Sequence, residues 1–597
     1  MESISVGLPT RPASRERPVV VSPVRSLNLI LWFLAIVPAA LIVRLISEYG
    51  VNVPFGDEWS LVPLFAKWND HQLTFADLFR QHNEHRILFP KLIYIAFAQL
   101  THWNLRAEML FSVFLCAITS ACIYGLLRQT VGGSSRRRLA IWVICNLLIF
   151  SPSQAENWMW GFQLAMFIPT VCLVAILLIL HVPKINAIRL AGAIALAFIA
   201  AFSFGSGLLI WPVVGLYLFL RGTDKRWIWA WIAAFILTAG LYFVRYESLA
   251  PPGGVPAGPV DYVIYFLWFN GNALGQLPIH YRLIVTGFIG AGAIVIYFGT
   301  VAAFLRARGP ALRTAVPWMA LATYALGSAL LTTYSRVHES TQQALDSRYS
   351  TVSVNLYLGL LALLVIGSDF VRRSNLRFSL SKMILALPTV FMATLVTWYL
   401  ATFLGALART DNLYELRLHG LATLSFSKII PPSRTMRHEL RINPESTEFM
   451  DYIAVVDRLE LLSPPLRHFG ILRDGAGQPD RVTEEFGRFD KAVRKSSTTF
   501  EFGGWAFLPA RNEPAPSVVL AYESSGKWCG FALAEVKEER PDVVGKLGEQ
   551  YKLSGWHVAI DVAAVPKDAH EISAWAIDAL SADVFRLPGV VHLPPPE

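Results

Sequence analysis

Hydrophobic residues in the first 405 positions come in long unbroken runs rather than at the alternating spacing of a half-buried strand. About 20 consecutive apolar residues cross the hydrocarbon core of a bilayer. Eleven runs meet or approach that length, near 27–47, 109–127, 139–151, 162–181, 187–204, 207–220, 227–244, 283–304, 314–333, 351–370 and 383–405. Each predicts a transmembrane helix, the third and sixth being short. A further apolar stretch, 87–101, is shorter than a comfortable span and carries Pro90, so it predicts a re-entrant or interfacial segment.

Beyond this region the pattern changes twice. Residues 407–483 read as helical and irregular, with apolar periodicity over 448–462 and breaks at Pro431-Pro432 and Pro464-Pro465. From 484 onward the apolar positions alternate: Phe500 with Phe502, Val518 with Leu520, Val558 with Ile560, Ile572 with Ala574 and Ala576. Short alternating runs between turn residues predict a β-sandwich. The expected organisation is a tail at 1–26, a transmembrane domain at 27–406, a connector at 407–483 and a β-sandwich domain at 484–597. The fold class is a polytopic α-helical membrane protein with a mostly-β C-terminal domain.

Charge orients this arrangement. Basic residues collect in alternate loops: Arg11, Arg15, Arg17 and Arg25, then Arg128 with Arg136–Arg138, Lys184 with Arg189, Arg221 with Lys225 and Arg226, Arg306, Arg308 and Arg313, and Arg372, Arg373, Arg377 and Lys382. Lys and Arg in short loops mark the cytoplasmic side. Eleven spans put every cluster there and place the C-terminal domain outside; counting 87–101 as a span would invert the later clusters. Hydrophobic residues make up 54% of the 597 and the mean hydropathy is +0.45, which excludes an ordinary soluble domain. The net charge of +9 lies in loop anchors facing lipid headgroups and does not indicate nucleic acid. Cys529 is the one cysteine of the C-terminal domain, so no disulfide framework is available there.

The chemistry-bearing residues lie in the opposite loops. The first contains VPFGDEW, with Asp57 and Glu58 in a turn shaped by Pro54 and Gly56, and ends QHNEHRILFPKL, with His82, Asn83, Glu84, His85 and Arg86 ahead of the apolar stretch. Such groups beside a membrane are expensive unless mutually paired, which predicts an organised site. The HNEH spacing is not HExxH, so a zinc-protease reading fails. The second loop, SPSQAENWMWGFQ, brings Glu156, Asn157, Trp158 and Trp160. Its rings read as an interfacial belt or a sugar platform, and oxygen ligands from Asp57 and Glu156 would suit magnesium or manganese. A Pro- and Gly-rich segment, Pro251–Pro259, reads as a mobile lid. The last loop, YSRVHESTQQALDSRYS, carries Arg336, His338, Glu339, Asp346, Arg348 and Tyr349; an arginine beside a span either snorkels or clamps a phosphate at headgroup height.

The FGDEW, HNEHR, AENW and DSRY motifs, together with an exported C-terminal domain, resemble the pattern of the GT-C superfamily of membrane glycosyltransferases over residues 1 to about 405. The resemblance implies a bacterial enzyme of the inner membrane. It would transfer a sugar, with inversion, from a polyprenyl-phosphate-linked donor to an extracytoplasmic glycan, lipid or protein acceptor. It implies Asp57 as general base with Glu58 assisting, and Arg348, Arg336 and Arg86 on the donor phosphate. His82, Glu84, His85, Trp158, His338 and Tyr349 would contact substrate. The Asp-Glu pair in the first loop and the lone Glu156 in the second depart from some members, which leaves the metal at Asp57 and Glu156 open. The competing readings are a flippase of lipid-linked sugars and a membrane anchor for a glycan-binding domain. Against transport stand the near absence of ionisable residues inside the spans and the lack of a convincing internal repeat; against an anchor stand the dense polar loops.

Overall fold

The computed structural model describes residues 23–247, 256–277, 280–373, 379–427, 449–462, 466, 472, 484–567 and 569–592. All eleven expected spans form helices. Among the described residues, eight helical segments are by themselves long and apolar enough to cross a bilayer: Leu27–Tyr49, Leu105–Thr130, Ser135–Trp158, Gly161–Leu180, Arg282–Ala307, Gly309–Arg336, Ser347–Arg373 and Ile384–Ser425. The protein is therefore a multi-pass membrane protein. The other three expected spans form shorter helices, Ala187–Ala201, Ile210–Leu220 and Lys225–Tyr242, of 15, 11 and 18 residues. At 1.5 Å per residue, 15 residues cover only about 22 Å.

The 87–101 stretch is a 14-residue helix, Leu88–Thr101. Its Lys91 is buried and donates to the carbonyls of Asp77, Leu78 and Arg80, closing the short Phe75–Phe79 helix beside it. Of the Pro251–Pro259 segment expected to act as a lid, residues up to 255 lie outside the described residues.

Because successive helices reverse direction, one end of the bundle gathers the loops at 50–87, 150–163 and 337–349, and the other gathers the basic loops. The helices Gly309–Arg336 and Ser350–Arg373 pack side by side through the centre. Gly359 permits their close approach, since a Cβ there would stand 2.7 Å from the Trp318 carbonyl oxygen.

The last membrane helix runs unbroken from Ser379 to Ser425, past the boundary expected at 406. Its continuation is held by burial on two sides. Ala422, Leu424 and Phe426 share an apolar core with Val519, Ala521, Trp575 and Ile577 of the C-terminal domain, and Arg417 lies over the Phe55 ring at 4.5 Å. The helix Phe449–Arg458 then packs on the first loop, with Phe449 edge-on to Trp59 and Arg458 paired to Asp70 at 3.1 Å.

Among the described residues, the C-terminal domain has eight strands: β1 (Gly487–Arg494), β2 (Thr499–Leu508), β3 (Glu513–Pro514), β4 (Ser517–Ser524), β5 (Lys527–Glu538), β6 (Gly555–Asp561), β7 (Glu571–Asp578) and β8 (Asp583–His592). All pair antiparallel in the order β1-β2-β6-β5-β4-β7-β8, with β3 on β2. In place of the two sheets of the expected sandwich, one continuous sheet curls until its ends meet: Phe486 stacks on Phe585 at 4.0 Å, and β8 approaches β1 so closely at Gly589 that a Cβ would stand 2.5 Å from the Phe489 oxygen. Phe502, Val518, Leu520, Trp556, Ile572 and Leu587 fill the interior. Trp505 and Trp556 are both buried.

Candidate functional site

The site is built on the first loop. Gly56 takes φ +57, a left-handed conformation natural to glycine, and a Cβ there would press the Trp160 ring at 3.0 Å. This tight turn starts a short 3-10 helix, Gly56–Leu61. The Glu58 carboxylate turns inward and is fully buried. It accepts from the Phe55 backbone N–H at 2.8 Å and from the Phe162 N–H at 3.1 Å, so it ties the first loop to the second. Burial pushes its pKa up to about 7 against the favourable charge of Arg417 and those two N–H groups. Its neighbour Asp57 is thereby turned the other way, into a cavity.

That cavity has a volume of about 370 Å³, and its wall carries Asp57, His82, Glu84, His85, Arg336, Arg348 and Tyr349 from the two loops singled out in the sequence. His82 and His85 are fixed by reciprocal backbone hydrogen bonds, 2.8 and 2.9 Å, across a turn in which Asn83 has φ +47. The His82 Nε2 stands 3.7 Å from Asp57 Oδ2. Burial opposes ionisation of Asp57, but His82, with smaller contributions from Arg348 and His85, holds its pKa below the ordinary aspartate value. His85 packs on the Phe204 ring at 4.2 Å; burial, aided by the charge of Arg336, lowers its pKa to about 4, so it is neutral near pH 7.

The cationic side comes from the last loop. Arg336 is held by Glu84 and Glu339, both at 2.6 Å. Arg348 pairs with Asp346 at 2.9 Å and lies over Tyr349 at 5.2 Å. Its buried Nε–H has no hydrogen-bond partner among the described residues, a donor left for something in the cavity. The second loop fixes this segment from behind: Asn157 donates to the Arg348 carbonyl at 2.8 Å, and the Ser347 hydroxyl accepts from the Glu156 N–H at 3.1 Å.

Several other expected residues sit elsewhere. Arg86 is buried, and its guanidinium donates to the carbonyls of Phe79, Tyr242 and Val244. Trp158 is fully buried and donates to the Ser151 carbonyl at 2.9 Å. His338 pairs with the Tyr262 hydroxyl at 2.9 Å. Glu156 lines a different cavity of about 620 Å³, with Arg282, Asp346 and Arg409. Asp57 and Glu156 thus face different spaces, and among the described residues no group of three or more His, Cys, Asp or Glu side chains is gathered as metal ligands.

Two residues that sequence reasoning passed over belong to the support of the site. Glu108, in the first turn of Leu105–Thr130, is fully buried and flanks Gly161 opposite Glu58: a Cβ at Gly161 would stand 2.6 Å from Glu108 Oε2 and 3.2 Å from Glu58 Oε1. The other is Arg417, in the stretch read as connector. A buried carboxyl at a span edge was the available signal for the first; nothing local marked the second.

No protein-family model matches the chain, and no curated protein matches it. Among solved structures, one similar chain is the archaeal oligosaccharyltransferase AglB from Archaeoglobus fulgidus, in complex with an inhibitory peptide and a dolichol-phosphate. The identity is 12% and the TM-score 0.40, over 73% of this chain and 60% of that one. A likeness this loose assigns no role to any residue, and the chain spans only about three-fifths of that enzyme's length.

Proposed function

We propose that the protein is a membrane glycosyltransferase that moves a sugar from a polyprenyl-phosphate-linked donor to an acceptor hydroxyl, with inversion, on the extracytoplasmic face of a bacterial inner membrane. The observation that carries this reading is the meeting of Asp57 with Arg336 and Arg348 on the wall of one cavity. One-step displacement at an anomeric carbon needs a base on the side of the acceptor and positive charge on the side of the departing phosphate.

In this reading the acceptor oxygen attacks the anomeric carbon as the bond from that carbon to the phosphate oxygen breaks. Asp57 takes the hydroxyl proton, and the bond electrons leave with the lipid phosphate. Its lowered pKa keeps Asp57 ionised at neutral pH. His82, 3.7 Å away, orients the carboxylate. The unpartnered Nε–H of Arg348 and the guanidinium of Arg336 meet the charge that builds on the phosphate. Glu58 and Arg86 hold the loop in register and do not touch substrate. A divalent cation is not needed for these steps, and Mg or Mn dependence is tested by chelation.

The test is turnover by the full-length protein in nanodiscs supplied with a polyprenyl-phosphate-linked sugar and an acceptor glycan. Release of lipid phosphate coupled to formation of the inverted glycoside is expected. Movement of the lipid-linked sugar between leaflets without turnover would overturn the reading in favour of a flippase.

A further inference from the structure

The opposite end of the bundle holds a cavity of about 790 Å³, larger than the one that carries Asp57. One helix reaches both. Arg336, at one end of Gly309–Arg336, lines the first cavity, and Arg313, near the other end, lines the second. Twenty-three residues at 1.5 Å each separate the two by about 35 Å, enough to cross the roughly 30 Å hydrocarbon core of a bilayer.

The second cavity is built from the ends of five helices and is strongly cationic. Lys184, Arg221, Arg226 and Arg313 line it against one carboxylate, Asp224. Arg221 is fixed by donation to the Leu180 carbonyl and to the Tyr217 hydroxyl, 3.3 Å away. Arg226 lies over the Trp227 ring at 4.6 Å and reaches Asp224 at 3.5 Å, with both charged groups largely exposed. Thr223, also on the wall, has a buried hydroxyl oxygen without a hydrogen-bond partner among the described residues. Four cations around one concavity share a single carboxylate, which leaves the wall with net positive charge. Such a cavity is more than the scattered loop anchors that charge asymmetry requires: it has volume, converging donors and an unsatisfied hydroxyl. The helices that form it present exposed apolar side chains beside it, including Ile188, Phe219 and Trp229. An acyl chain would lie along them.

We propose that this cavity is a second ligand site, at the face of the membrane opposite Asp57, which binds the phosphate group of an anionic ligand. Basic pockets between membrane helices on the cytoplasmic side suit anionic lipid headgroups, and a soluble phosphate offers the same chemistry. The site is independent of the reading given to the Asp57 cavity.

The experiment uses the full-length protein and native mass spectrometry after equilibration in equal mixtures of phosphatidylglycerol and phosphatidylcholine. The wild type is expected to retain phosphatidylglycerol preferentially. Arg226→Gln with Arg313→Gln is expected to lower that preference by roughly thirtyfold, from the value of two interfacial cations. Arg306→Gln with Arg308→Gln removes two exposed charges outside the cavity wall and is expected to leave the preference unchanged. Thermal stabilisation of lipid-depleted protein by inorganic phosphate, lost in the Arg226/Arg313 variant and without any phosphatidylglycerol preference, would assign the site to a soluble phosphate. Equal retention of both lipids with no phosphate effect would overturn the proposal. So would an equal loss in the two double variants.

Discussion

The first loop, 53–92, and the last, 334–350, face each other across the Asp57 cavity and deploy their charges in different ways. In the first loop three buried charged residues serve the backbone. Glu58 accepts two backbone N–H groups, while Arg86 and Lys91 donate to three carbonyls each. In the last loop the arginines are held by carboxylates at their edges, Arg336 by Glu84 and Glu339, Arg348 by Asp346. This leaves donors of a planar fork toward the cavity. Backbone-serving charges are buried and rigid, so their loss should appear as instability; ion-paired charges on a cavity wall remain available, so their loss should appear in substrate use. Asp57 and Glu58 make the same contrast between adjacent residues.

Arg86→Ala carries the largest expected effect on stability. It strips three carbonyls of a charged donor in a buried setting, so a loss of about 3 kcal/mol or more is expected. It should be seen as a lowered Tm in detergent, with turnover falling only in proportion to folded protein. An unchanged Tm with a raised donor KM would place Arg86 with the cavity arginines instead.

Glu58 makes stability depend on pH. Its folded pKa of about 7 stands above the reference 4.5, so the folded state binds the proton more tightly. The resulting stability is fully present below about pH 4.5 and is lost as pH rises through 7. A span of this size corresponds to about 3 kcal/mol. Wild-type Tm should therefore fall across that window by a component missing in Glu58→Gln, and identical pH profiles for the two proteins would refute the assignment.

Arg348→Lys should leave Tm unchanged and raise the donor KM by roughly tenfold, because a point charge replaces a fork that offers several donors. An equal effect on acceptor KM would contradict a phosphate role. The smallest effect is expected from His82→Ala. Removing the main group that lowers the Asp57 pKa should move the acid limb of the rate profile to higher pH, with the neutral-pH rate changed least.

The sequence exposed the membrane helices because an apolar run long enough to span lipid has few other uses. It also exposed the loops of the site, since His82, Glu84, Arg336 and Arg348 cluster beside spans where charge is otherwise avoided. Which way each side chain faces was not legible. Arg86 and Arg348 look alike as arginines next to apolar runs, yet only the fold turns one into backbone and the other into a cavity. Trp158 had the composition of an interfacial belt and proved to be core. Arg417 reaches the first loop only because the last helix continues to Ser425, and residues after 405 carry no apolar run to announce that.

The most direct measurement sets Asp57→Asn against wild type in single-turnover transfer from a polyprenyl-phosphate-linked sugar, with Tm read on the same samples. The change keeps the shape of the side chain and removes the base. If Asp57 is the base, a rate lower by roughly a hundredfold to ten-thousandfold is expected, with Tm unchanged because Asp57 lies on a cavity wall and Glu58 holds the turn. Near-normal transfer by Asp57→Asn, or a rate loss explained by a matching fall in Tm, would contradict that role.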